Sequence, residues 1–255
     1  QKAMEPGAPQ LHEKFPNNIL KHTTAAAGNY AEAIKEPGLI KVEGWYETPM
    51  VQHCHIENHG CFAYGEDRDG YDYLYDIGRL ASLAGKKLHG KRNHINKFLS
   101  THPVWSVEPI TPDNLSDCLA MNRRWHRENE GYDGEKTFEE DGAALEKCIA
   151  HYDRMGLDGL LLRSEGQVLA FTMGELMGDS DTYDVHFEKA FAEVPGAYPL
   201  INREFARWIQ ARYPQVRYLN REDDMGVEGL RQAKKSYYPD LLLEKYSAVL
   251  QKELM

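Results

Sequence analysis

Asn220-Arg-Glu-Asp-Asp-Met-Gly-Val-Glu-Gly-Leu-Arg-Gln-Ala-Lys-Lys-Ser-Tyr237 crowds acids, bases and an amide into one short stretch. A short strand, Val216 to Leu219, runs into it, and a helix carrying Lys234 and Lys235 follows Gly226. Polar groups past the carboxyl end of a strand, facing a helix start, are where open α/β sheets bind ligands. Glu222, Asp223 and Asp224 are close enough to repel one another, which favours a proton held among them. Such a carboxylate can take a proton from an attacking amine or hydroxyl, and Glu222 is the candidate base. Asp224 reads equally well as a helix cap. Asn220 can bind a substrate amide. Lys234 and Tyr237 are candidates for holding phosphate or donating a proton, with pairing of Lys234 to Glu228 as the plainer alternative.

A second chemical segment is Lys86-Lys-Leu-His-Gly-Lys-Arg-Asn-His-Ile-Asn-Lys97. From Ile77 to Val107 there is no acid, although the whole chain carries a net charge of −10. Lys87, Lys91 and His94 recur at helical spacing on one face. Lys86, Arg92, Asn93 and Asn96 add donors, and Gly85 and Gly90 permit close backbone approach. Such a face suits a phosphate-bearing ligand, while the plainer reading is a solvated basic helix.

Other chemistries find little footing. His53, His55 and Glu57 would share one face of a strand, but the spacing matches no common zinc pattern, so no metal site is expected. Cys118 and Cys148 fall on apolar helix faces and read as core. There is no Gly-x-Ser-x-Gly elbow and no phosphate loop ending in Gly-Lys-Ser/Thr. The acidic balance argues against general nucleic-acid coating. No apolar run reaches the roughly 20 residues that a membrane-spanning helix needs, and no signal peptide is evident. Four cysteines in 255 residues make no disulfide framework, so a reducing, cytoplasmic setting is expected.

The elements that must position these residues follow from periodicity. Tyr71 to Tyr75 alternates aromatic and polar, the pattern of a half-buried strand, and Leu80 to Leu99 reads as helix interrupted near Gly85 and Gly90. From Trp105 the order is β, α, α, β, β, β, α, β, α, β, including a hairpin across Ser164-Glu-Gly-Gln167 and a final strand at Leu241 to Tyr246. This order predicts an α/β (α+β) mixed sheet flanked by helices, as in GCN5-related acyltransferases.

Several stretches resemble one bacterial family, the domain at the C-terminus of phosphatidylglycerol lysyltransferases. They are Tyr73-Leu-Tyr75, Gly85 to Phe98, His186-Phe-Glu-Lys-Ala-Phe191, Tyr198-Pro-Leu-Ile-Asn-Arg-Glu-Phe205 and Asn220 to Tyr237. The resemblance runs from about residue 66 to 250. It implies tandem acyltransferase-like domains, with a remnant of the first over 66–103 and the second over 104–255. It also implies movement of an aminoacyl group from tRNA, or another phosphate-bearing donor, to a lipid or peptide acceptor. No metal or redox cofactor is then required and no membrane insertion is expected. A non-catalytic anion-binding module of the same fold is the alternative.

Phe15-Pro-Asn-Asn-Ile-Leu-Lys-His22 and Val42-Glu-Gly-Trp-Tyr-Glu-Thr-Pro-Met-Val-Gln-His-Cys-His-Ile-Glu57 resemble instead a xanthine-dehydrogenase-type molybdenum subunit. Residues 1–65 therefore read as an unrelated or poorly packed N-terminal fragment. A molybdenum hydroxylase fragment is the third functional reading.

Overall fold

The computed structural model describes residues 62–129, 135–177 and 181–250. The His53, His55 and Glu57 set lies outside them. The chain divides into two compact units. Among the described residues, the larger comprises those within 73–222 together with 232–241, and the smaller comprises 62–72, 223–231 and 242–250.

In chain order the elements are β1 (Phe62–Glu66), β2 (Asp72–Asp76), α1 (Ile77–Ser82), α2 (His89–Thr101), β3 (Trp105–Pro109), α3 (Leu115–Asn129), α4 (Glu135–Ala150), α5 (Tyr152–Met155), β4 (Asp158–Ser164), β5 (Gln167–Leu176), β6 (Thr182–Ala190), α6 (Ala197–Arg212), β7 (Tyr218–Asn220), α7 (Glu228–Lys235), β8 (Leu241–Leu243) and β9 (Tyr246–Leu250). The main sheet has the order β3-β4-β5-β6-β7-β2-β8. It is mixed: β3 to β6 pair antiparallel in succession, β6 and β7 are parallel, and β7 and β2 antiparallel. The parallel pair requires a crossover, which α6 supplies. From Trp105 on, the order is the one expected from the sequence, apart from the extra turn α5 and the division of the last strand. β8 ends at Leu243 and β9 begins at Tyr246.

β4 and β5 are buried over consecutive residues, the mark of strands covered on both faces. Leu161, Phe171, Met173, Leu200, Ile201 and Ile209 are fully buried. Each such side chain contributes about 1.5–3 kcal/mol on leaving water. On α6, the buried positions Ala197, Leu200, Ile201, Phe205 and Ile209 follow helical spacing. Pro199 is tolerated there because first-turn amides have no intrahelical partner.

β2 departs from the half-buried pattern: Asp72, Tyr73, Leu74 and Tyr75 are all buried. Two of the side chains that alternation assigns to solvent are instead enclosed. In the larger unit the Tyr75 hydroxyl donates to the Lys234 carbonyl at 2.8 Å. In the smaller unit Asp72 accepts from Lys245 Nζ at 2.6 Å.

The smaller unit is held by the antiparallel pair β1–β9, from Phe62 opposite Leu250 to Glu66 opposite Tyr246. Asp224 is wholly buried there and pairs with Arg231 at 2.7 Å. Its Oδ1 also accepts from the Gly226 amide at 3.0 Å. Asp224 is thus a buried structural acid that closes the turn before α7, close to the capping reading.

Candidate functional site at the opening between two parallel strands

The parallel ladder of β6 and β7 is only three pairs long, from Thr182–Tyr218 to Asp184–Asn220. β6 then continues to Ala190, while the chain after Asn220 stays with β2. Arg221 N donates to Tyr73 O at 3.0 Å, and Tyr73 N donates to Glu222 O at 3.2 Å. Beyond Asn220 two side-chain ion pairs span the gap to β6 where backbone bonds would otherwise run. His186 meets Glu222 at 3.0 Å, and Glu188 meets Arg221 at 2.6 Å.

A β-bulge aims these groups. Phe187 lies opposite Met173 and Val185 opposite Gly174, so His186 is an extra residue without a partner in β5. Tyr183 and Glu188 would face opposite ways in a regular strand. With the bulge between them, both reach α6: Tyr183 stacks edge-on with Phe205, and Glu188 accepts from Asn202 and Tyr198. Gly174 makes the approach possible, since a Cβ there would meet the Asp184 carbonyl oxygen at 1.9 Å.

The inner pair is deeply buried, with side chains 3% and 9% exposed for Arg221 and Glu188. Glu188 accepts from Arg221 Nε (2.9 Å), Tyr198 Oη (2.9 Å) and Asn202 Nδ2 (2.8 Å). The Arg221 guanidinium lies 4.9 Å from the Tyr237 ring centroid and 5.5 Å from those of Tyr75 and Tyr198. Among the described residues, Arg221 Nη1, the Tyr237 hydroxyl and Asn202 Oδ1 are buried with no hydrogen-bond partner. Unpaired buried polar atoms are costly, and clusters of them mark strain or a ligand site. Burial pushes the Tyr237 hydroxyl well above the ordinary phenol range, so it remains a neutral donor.

Lys91 reaches this corner from α2. Its Nζ lies 3.9 Å from the Tyr237 ring centroid and 2.7 Å from Ser236 Oγ. Burial, and then the charge of Arg221, push its pKa down to about 8, with Glu188 opposing.

The outer pair is more open. His186 Nδ1 faces Glu222 at 3.0 Å and Nε2 faces Glu175 at 3.3 Å. The bond to Glu222 pushes the imidazole up to about 9 against the effect of burial. Both ring nitrogens then donate, and Glu222 is partner to an imidazolium. Asp184, His186 and Glu222 also bring ligand atoms within 4.8 Å of one another. A divalent cation there would have to displace the imidazolium proton.

The candidates read from the sequence separate into three sets. Lys91, Tyr237 and Glu222 sit at the opening or its inner corner. Asn220 and Lys234 support it. Asn220 Oδ1 accepts from the Glu222 amide at 3.0 Å, closing a local turn. The Lys234 ammonium is buried and donates to the Arg221 carbonyl. The third set stays apart. Lys87 precedes α2 and lies over the Tyr238 ring at 5.1 Å. Arg92 donates to the carbonyls of Leu83 and Gly85. Asn93 meets His89 at 3.2 Å, and Lys86, His94 and Asn96 are exposed. The His94 carbonyl presses on the start of α6, where a Cβ on Gly196 (φ +95°) would come within 2.2 Å of it. That contact covers a helix N-terminus of the kind that elsewhere binds anions.

Sequence reasoning assigned no role to Glu188, Arg221, Tyr198, Asn202 or Ser236. The available signal was the even spacing of Asp184, His186 and Glu188, which alternate with the apolar Tyr183, Val185 and Phe187.

A mixed sheet flanked by helices, with polar groups at the opening of its parallel pair, is the class of structure defined here. The family model for the C-terminal region of phosphatidylglycerol lysyltransferases matches residues 43–249, and the chain belongs to that family. A conserved protein of unknown function from Bacteroides thetaiotaomicron VPI-5482 is 38% identical, with a TM-score of 0.80 over 89% of this chain and 75% of that one. The chain also shares its fold with L-PGS from Bacillus licheniformis (13% identity, TM-score 0.61, 90% of this chain and 72% of that one). FemX is similar in fold as well (12% identity, TM-score 0.58, 89% and 75%). A separate similarity joins 50 residues, at 40% identity, to a putative xanthine dehydrogenase molybdenum-binding subunit of Escherichia coli K12. It spans 20% of this chain and 6% of that protein. No helix among the described residues is long and apolar enough to cross a membrane.

Proposed function

We propose that this protein is an aminoacyl transferase that moves an aminoacyl group from a tRNA ester to an amine or hydroxyl acceptor on a lipid or peptide. The observation that carries the reading is the set of unpaired donors, Arg221 Nη1 and Tyr237 Oη, at the inner corner of the β6–β7 opening. An ester carbonyl oxygen gains negative charge when attacked. Fixed donors in a water-poor pocket stabilise that charge without reorganising at the moment of reaction. Glu188 and Tyr198 hold the Arg221 guanidinium by one edge, with Asn202 fixing Glu188, and leave Nη1 for the carbonyl. The outer His186–Glu222 pair flanks the mouth, where an incoming amine needs a carboxylate to orient it. Membership in the lysyltransferase family supports the aminoacyl class of donor. With Arg221 balanced by Glu188, Lys91 adds a further positive charge at this corner, which supports a donor that carries phosphate close to its ester.

The test is transfer itself. The chain is incubated with tRNA charged with radiolabelled amino acids and, in parallel, with phosphatidylglycerol vesicles or an amine-bearing peptide. Label moving from tRNA to an acceptor supports the reading. Retention of charged tRNA without transfer supports the binding module instead.

A further inference from the structure

Lys91 and Ser236 lie 145 residues apart in sequence, yet Lys91 Nζ is 2.7 Å from Ser236 Oγ. Ser236 follows the last turn of α7 and is half-buried, as is Lys91. In the resting arrangement Ser236 Oγ donates to the Ala233 carbonyl at 2.5 Å and accepts from the lysine. Holding the ordinary charge on Lys91 is costly here: it is partly buried, and Arg221 opposes a second cation. Mildly alkaline solution therefore produces a neutral amine, which accepts a proton from a hydroxyl where the ammonium could only donate one. The Lys91 ammonium and the Arg221 guanidinium both pack on the Tyr237 ring, at 3.9 and 4.9 Å from its centroid. The two unpaired buried donors, Tyr237 Oη and Arg221 Nη1, belong to this same cluster. A hydroxyl, a lysine base within hydrogen-bond reach and fixed donors for an oxyanion are the parts of serine acyl transfer with lysine in the place of histidine.

We infer that Ser236 is a nucleophile that carries the acyl group between donor and acceptor, with Lys91 as its general base. The inference rests on the acyl-transfer reading and divides that reaction into two halves. In the first, Ser236 Oγ bonds to the carbonyl carbon of the donor ester and its proton passes to Lys91 Nζ. The ester C–O bond then breaks, and the departing oxygen takes that proton. In the second, the acceptor nitrogen or oxygen bonds to the same carbon and gives its proton to Lys91. Ser236 Oγ leaves and takes the proton back. Arg221 Nη1 and Tyr237 Oη face the carbonyl oxygen in both halves.

The experiment uses the full chain and a simple ester, p-nitrophenyl acetate. Release of p-nitrophenol is followed in stopped flow, and the acetylated peptide is mapped by mass spectrometry. The expected result is a burst approaching one equivalent, an acetyl group on Ser236, and no burst from Ser236→Ala. Lys91→Met should slow the burst by about 10²–10⁴-fold, the usual loss when a positioned base is removed. Ser236→Cys should be acetylated in turn. Acetyl found on Lys91 or elsewhere, or an undiminished burst from Ser236→Ala, overturns the inference. Transfer from charged tRNA separates the two claims. If Ser236→Ala transfers like the parent, the nucleophile falls and the transferase stands. If Ser236 is acetylated but no acceptor is ever labelled, the transferase falls and the nucleophile stands.

Discussion

The two ion pairs that bridge the β6–β7 opening start two residues apart on one strand and behave as opposites. Glu188–Arg221 is sealed, with three hydrogen bonds converging on the carboxylate from Arg221, Tyr198 and Asn202. His186–Glu222 is half-open, with Glu222 43% exposed, and its imidazolium is shared with Glu175. Burial decides the difference. A sealed pair cannot lose one member cheaply, because the survivor keeps its desolvation cost without compensation. An open pair can lose one, because water replaces the partner. The inner pair is therefore fixed, with two buried donors left beside it, and the outer pair is adjustable; in the proposed function these become the ligand-binding scaffold and the mouth.

The largest expected effect breaks the inner pair. Arg221→Met should cost about 3–5 kcal/mol of stability in thermal or urea unfolding, by stranding Glu188. Adding Glu188→Gln should recover part of the loss. A full-stability Arg221→Met protein would mean that Glu188 is not sealed. Next comes Lys91. With its pKa near 8, transfer that uses the free amine should rise as pH increases through about 8 and then level off. A flat rate from pH 6.5 to 9.5 would remove Lys91 from the proton transfers.

The outer pair should give a smaller effect. His186→Asn is expected to cost on the order of 1 kcal/mol or less, as for partly exposed pairs. The folded imidazole titrates near 9, above its ordinary 6.5, so its contribution is complete below about 6.5 and is lost as pH rises through about 9. The stability gap between the parent and His186→Asn should therefore close between those limits, and a gap that widens with pH contradicts the pairing. Smallest of all, Lys86→Ala and Asn96→Ala should stay within about 0.5 kcal/mol of the parent in unfolding, because both side chains are exposed.

Much of the architecture was legible in the sequence because periodicity reports burial. The Ser164–Gln167 hairpin, the α6 stripe and the order of elements from Trp105 all follow from it. The bulge at His186 was not legible. A strand's alternation assigns Glu188 to the face of His186, and only pairing with β5 shows the extra residue. The convergence of Lys91 with Tyr237 is likewise a long-range fact, set by how α2 packs against the end of α7. The cluster of acids after Asn220 was conspicuous for its charge but is dispersed among separate cations. Asp224 is taken by Arg231, and Glu222 by His186. Arg221, hidden between conspicuous neighbours, is the residue around which the site is built.

Tyr237→Phe tests the central claim most directly, because it removes one oxygen and leaves the ring that packs on Arg221 and Lys91. Transfer of labelled amino acid from tRNA to acceptor should fall by about 10²–10³-fold, the loss typical of a missing oxyanion donor, while the unfolding midpoint stays at or above that of the parent. Undiminished transfer by an equally stable Tyr237→Phe protein would contradict the account.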